Sequence, residues 1–78
     1  PPAGRQELRN YHQALYEDYA EAFQNRRAAM LRMKELWFYL ARSFTDTEKY
    51  EKKIRKAQHL SDYKAVVKQL FSEQELVH

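Results

Sequence analysis

Cysteine is absent from the 78-residue chain, which excludes disulfide stapling, thiolate nucleophiles and cysteine-ligated metal. The single glycine (Gly4) and both prolines (Pro1, Pro2) lie at the extreme N-terminus, leaving residues 5–78 without a strong breaker. Architectures rich in β-structure place glycine and proline at their turns, and phosphate-cradling loops need repeated glycine, so both are excluded. No apolar run approaches the roughly 20 residues of a membrane-spanning helix, and no stretch reads as a secretory leader. Histidine occurs only at positions 12, 59 and 78, and the single Glu-x-x-His pair, Glu75 with His78, is one short of the two that the carboxylate-bridged metal site of helical bundles requires, so that site lacks a ligand set. Ser43, Ser61 and Ser72 have no neighbouring base in a recognisable arrangement, and no active site is expected within this chain.

What remains is helical. From Arg5 to about Asn25, Leu8, Tyr11, Leu15, Tyr19, Ala22 and Phe23 recur in three- and four-residue steps along one helix face. His12 lies on the apolar side of that helix and reads as a histidine at the core edge with its nitrogens satisfied. Asn25, a poor interior residue and a good cap, interrupts the pattern. A second helix runs from Arg26 to about Ser43 with a stripe of Ala29, Met30, Met33, Leu36, Trp37, Leu40 and Phe44. Leu31, Phe38 and Tyr39 lie off the stripe, and a helix apolar on most sides is expected to be surrounded by others. Whether Trp37 or Phe38 faces the core stays open at this level.

Thr45-Asp46-Thr47-Glu48 fits a capping box opening a third helix, Asp46 to about Gln58, with Tyr50, Ile54 and Ala57 inward. Leu60-Ser61-Asp62 reads as a staple residue, an N-cap and a first-turn acid. The fourth helix then spans about Asp62 to Phe71 and buries Tyr63, Val66, Val67, Leu70 and Phe71. The expected fold is all-α, a small four-helix bundle over residues 5–72, preceded by a linker at 1–4 and followed by a frayed tail at 73–78. The Pro-Pro-Ala-Gly opening resembles a stiff connector ending in a hinge, as at the edge of an excised domain.

Charge is concentrated. The chain carries +3 overall, but residues 26–56 hold ten basic residues against four acids, while both flanks are slightly negative. Lys49, Lys52, Lys53 and Lys56, at i, i+3, i+4 and i+7, project from one side of the third helix, and like charges at those spacings repel by a few tenths of a kcal/mol per pair. Phosphates could recover that cost. Alternatively the stripe is a solvated face that aids solubility. On the second helix Lys34, Phe38 and Arg42 form an i, i+4, i+8 row, with Arg27 along the same edge and Arg32 nearby, so cations could hold a nucleic-acid backbone while the ring supports a sugar or base. The bland alternative packs Phe38 against another helix beneath cationic stems. The two basic helices are expected to converge on one electropositive surface.

These residues resemble a known family. Leu31 to Leu40, LRMKELWFYL, is similar to the basic run followed by Trp-Tyr in the C-terminal helical domain of tRNA-dihydrouridine synthases. The tract around Tyr11-His12, Leu15 and Tyr19 resembles that domain's first helix, and Ile54 through Phe71 resembles its closing helix pair. Aligned on Lys34, the sequence departs from the family at Glu35, where a histidine is usual, and at Arg42-Ser43-Phe44, where Gly and Pro often follow the aromatic pair. The resemblance implies a cytoplasmic parent enzyme with an upstream flavin-binding barrel that reduces uridine in tRNA with FMN and NADPH. This chain would hold no cofactor itself and would supply one wall of the RNA cleft. Arg27, Arg32, Lys34, Arg42, Lys49, Lys52, Lys53 and Lys56 are the expected tRNA contacts. The competing expectation is a helical protein–protein interaction module docking through Tyr11, Tyr16, Tyr19 and Phe23.

Overall fold

A computed structural model describes residues 4–76. Pro1, Pro2 and Ala3 of the expected linker, and Val77 and His78 of the expected tail, lie outside the described residues. The described residues form four α-helices, α1 (Arg5–Phe23), α2 (Arg26–Leu40), α3 (Glu48–Lys56) and α4 (Leu60–Glu73), with a 3₁₀ turn at Ala41–Ser43 extending α2. Together they make the all-α four-helix bundle that the breaker-free sequence leads one to expect.

The α1–α2 turn follows local rules closely. Gln24 closes α1 in the left-handed region (φ 50°) and donates its amide to the Glu21 carbonyl. Asn25 then caps α2, its side-chain oxygen accepting from the Ala28 amide at 2.9 Å. The connection into α3 does not follow the expected capping box. The Thr45 amide is taken by the Glu75 carbonyl at 2.8 Å, Asp46 adopts φ 52°, and Thr47 becomes the N-cap residue with its hydroxyl donating to the Glu51 carboxylate at 2.9 Å. The start of α3 is thus set by a strand-like contact with the chain's far end. The same contact holds the described part of the expected tail: Phe44 and Leu76 form an isolated antiparallel bridge, Leu76 packs on the core, and the Gln74 side-chain amide donates to the carbonyls of Thr45 and Asp46. Likewise α4 starts at Leu60 with His59 as its N-cap residue, so Ser61 lies inside the first turn and caps nothing.

The central helix is α2, packed against α1, α3 and α4. Of the expected stripe Ala29, Met30, Met33, Trp37 and Phe44 are buried and Leu36 and Leu40 half-buried; with Ala41 they meet Tyr50 and Ile54 of α3 and Tyr63, Val67, Leu70 and Phe71 of α4. Each of the large aliphatic side chains contributes about 1.5–3 kcal/mol by leaving water. Two sequence expectations need correction. Leu31, Phe38 and Tyr39 are not enclosed by neighbours but exposed, Phe38 and Tyr39 at 62% and 64%. On α1 the deepest positions are Leu8, His12 and Tyr16, while Tyr11 and Phe23 are exposed and Leu15 and Tyr19 half-buried. The inward face is rotated from the apolar stripe because α1 packs on α2 and also reaches α4: His12 meets the Trp37 ring of α2 and bonds Tyr63 of α4. Tyr16 buries its hydroxyl with no hydrogen-bond partner among the described residues.

A polar knot ties three helices together at the centre. The Trp37 indole N–H donates to the Tyr63 hydroxyl at 2.8 Å, and that hydroxyl meets His12 Nε2 at 2.8 Å. An indole only donates, so every group is paired only when the Tyr63 proton goes to an unprotonated Nε2. Burial holds His12 down to about 4 and pushes the Tyr63 hydroxyl up, so both stay neutral in water near pH 7. The expectation for His12, a core-edge histidine with its nitrogens satisfied, is met in its burial and at Nε2.

Candidate nucleic-acid interface

On α3 the inward residues Tyr50, Ile54 and Ala57 occupy one side. Lys49, Lys52, Lys53 and Lys56 project about a third of a turn away, all exposed and none in an ion pair among the described residues. Toward α4 this edge meets Glu73. The Glu73 carboxylate accepts from the Tyr50 hydroxyl at 2.7 Å and is held below the usual carboxylate range by that bond first, then by Gln69, with Lys49 and Lys53 adding their charge. Lys49 also lies over the Tyr50 ring at 5.0 Å. Lys52 and Lys56 stand clear of both. The charged edge is therefore partly compensated at its α4 margin and at its N-terminal end, where Asp46 and Glu48 line a surface cavity with Lys49.

The cations of α2 divide three ways. Arg27 and Lys34 reach the C-terminal end of α3, donating to the carbonyls of Gln58 and Ala57. A cation at a helix C-terminus satisfies orphan carbonyls and complements the dipole, so these two side chains fasten α2 to α3 and bring positive charge to the end that bears Lys56. Arg32 turns the other way: it pairs with Glu35 at 2.8 Å and lies over the Tyr19 ring of α1 at 5.7 Å. Arg42 sits on the outer surface, its guanidinium 5.0 Å from the Phe38 ring centre and 5.8 Å from that of Tyr39. Phe38 and Tyr39 meet edge to face at 5.2 Å.

The expectation of one continuous electropositive surface is accordingly corrected. The groove between α2 and α3 is lined by Lys34, Trp37, Phe38, Glu51, Ile54 and Arg55, so the edge of α3 beside α2 carries Glu51 and Arg55 and the lysine edge faces away. The eight cations form a lysine edge on α3, joined at its C-terminal end by Arg27 and Lys34, and a separate outer cluster at Arg42, with Arg32 neutralised on the α1 side. Trp37 is the buried member of the aromatic pair and Phe38 the exposed one, which makes Phe38 accessible for stacking. Tyr16, expected on a docking surface, is in the core.

No protein-family model, characterised protein or solved structure matches this chain. Function must be read from the site.

Spacing exposed the lysine edge and the pairing of Phe38 with Arg42, but not Tyr39 as the third member of that cluster. Tyr39 is at i−3 from Arg42, a signal available in the sequence that the Lys34, Phe38 and Arg42 row leaves out. Among the described residues no group of acids and histidines could hold a metal, and no helix is long and apolar enough to cross a membrane.

Proposed function

We propose that this chain is an RNA-binding helical domain, the C-terminal tRNA-binding part of a cytoplasmic tRNA-dihydrouridine synthase, whose upstream barrel would carry FMN, use NADPH and perform the reduction. One observation carries the reading: four exposed lysines share one edge of α3 without ion-pair partners among the described residues, next to a helix end where Arg27 and Lys34 add charge. A phosphate backbone is the partner that such an edge fits, and contacts of this kind position RNA without reading its sequence. The outer cluster supports the same reading, because an exposed aromatic beside a guanidinium offers a face for an unstacked base. The molecule measures 36 × 24 × 18 Å, small enough for one folded RNA to meet both groups.

Changing Lys49, Lys52, Lys53 and Lys56 to glutamine tests this in a tRNA-binding assay at several salt concentrations. Affinity is expected to drop, and the salt slope to flatten by roughly one per lost phosphate contact, with helicity unchanged. Unchanged affinity and slope would remove α3 from the interface.

A second reading rests on a different observation. Tyr11, Leu15, Tyr19, Leu36, Tyr39 and Leu40 line an open groove between α1 and α2, and exposed Phe23 and Phe38 pack their rings against its Tyr19 and Tyr39. Such a surface suits a protein partner. It predicts concentration-dependent association without RNA, measurable by sedimentation.

A further inference from the structure

The face of the bundle opposite α3 carries a second group of cations. Arg9 and Gln13 sit one turn apart on α1, and Lys64 and Lys68 one turn apart on α4. They face each other across a groove of about 350 Å³ lined also by His12, Val67 and Phe71. Two lysines one turn apart repel, and a third cation opposite them raises the cost. No carboxylate lines this groove. Aromatic faces hold two of the cations instead: the Arg9 guanidinium lies 5.7 Å from the Phe71 ring centre and the Lys64 ammonium 5.6 Å from that of Tyr16. A ring face orients a cation without cancelling its full charge, so the rim stays positive and partly preorganised.

The floor has a different chemistry. Val67 and Phe71 are apolar and buried. His12 has Nε2 engaged by Tyr63 and is uncharged at neutral pH. Beyond Gln13 and Lys64 the groove continues past Glu17, Glu21 and Arg26. Those acids repel an anion from that end and favour the end between Arg9 and Lys68. The volume falls within the range of small-molecule sites, and a lone phosphate would fill only part of it.

We propose that the α1–α4 groove binds a phosphate-bearing ligand, with Arg9, Lys64 and Lys68 around the phosphate and the Val67–Phe71 floor against the organic part. The phosphate can belong to a free nucleotide or to a nucleic-acid strand. The site shares no residue with the α3 interface and stands or falls independently of it.

The test is an NMR titration of the ¹⁵N-labelled 78-residue chain with AMP, with adenosine, and with a short single-stranded oligonucleotide lacking terminal phosphates. AMP or the oligonucleotide is expected to shift the amides around Arg9, Gln13, Lys64 and Lys68, with adenosine at least about tenfold weaker, as loss of charge-assisted bonds to phosphate requires. Tighter binding of AMP assigns the site to free nucleotides, and tighter binding of the oligonucleotide assigns it to strand phosphates. The variant K64Q/K68Q should weaken the tighter ligand at least about tenfold, whereas R55Q, a cation that belongs to neither surface, should not change it. Arg9→Gln gives the same reading should the lysine variant lose helicity. Adenosine binding as well as AMP, shifts confined to α3, or wild-type affinity in both groove variants would overturn the proposal.

Discussion

Acid should loosen this bundle through one residue. His12 is 7% exposed, and its folded pKa of about 4 lies below the ordinary value of 6.5 because burial disfavours the imidazolium. Between those values the unfolded chain binds a proton that the folded chain refuses, so stability is complete above pH 6.5 and falls as pH drops toward 4. At 1.36 kcal/mol per pKa unit, the loss reaches about 2 kcal/mol at pH 5 and about 3 kcal/mol at pH 4. The hydrogen bonding acts in the same direction, since a protonated Nε2 could no longer accept the Tyr63 proton. Urea denaturation at a series of pH values measures this, followed by fluorescence of the single tryptophan, Trp37, whose ring lies 5.7 Å from the His12 ring. His12→Phe isolates the group from the carboxylates that also titrate near pH 4. It should be less stable at pH 7 by about 1–3 kcal/mol, because Tyr63 loses its acceptor, yet nearly flat between pH 6.5 and 5. A wild-type curve flat over that interval, or a variant that keeps the wild-type slope, would show that His12 is not held neutral by the core.

Tyr63→Phe should cost about 2–4 kcal/mol, since it strands both the Trp37 indole N–H and His12 Nε2 in the interior. Thermal unfolding measures it, and a loss under 1 kcal/mol would mean that water replaces the hydroxyl. Leu70→Ala, at a fully buried position, should cost about 2–5 kcal/mol in the same experiment. Phe38→Ala should leave stability within about 0.5 kcal/mol because the ring is largely in water, while weakening RNA binding by about 1–3 kcal/mol if a base stacks there. Intact RNA affinity in that variant would remove the outer cluster from the interface.

The contrast between α2 and α1 shows how far patterning carries. On α2 the stripe from Ala29 to Leu40 is apolar at every step, and one helical face accounts for all of it. On α1 two candidate faces compete, one through Tyr11 and Leu15 and one through His12 and Tyr16, and side chains of mixed polarity do not separate them. The packing decided, since α4 had to approach on one side and α2 on the other. The capping box at Thr45 failed for a similar reason. Its residues suit a cap, but the Thr45 amide that Glu48 would have reached donates to the Glu75 carbonyl, thirty positions along the chain. No local rule includes that partner.

The candidate sites divide in the same way. The α3 lysines share an edge because 3.6 residues complete a turn, so their grouping is a property of sequence spacing alone. Which neighbour that edge faces depends on the rotation of α3 about its own axis, and Glu51 and Arg55 took the side beside α2. By itself the sequence determined four helices, the inward residues of three of them and the lysine edge, because each follows from periodicity and short-range hydrogen bonding. Only the tertiary structure decided the face that α1 buries, the anchoring of the C-terminal segment, the Trp37–Tyr63–His12 knot and the meeting of Arg9 with Lys64 and Lys68. Those depend on how helices distant in sequence come together, and local spacing does not encode such distances.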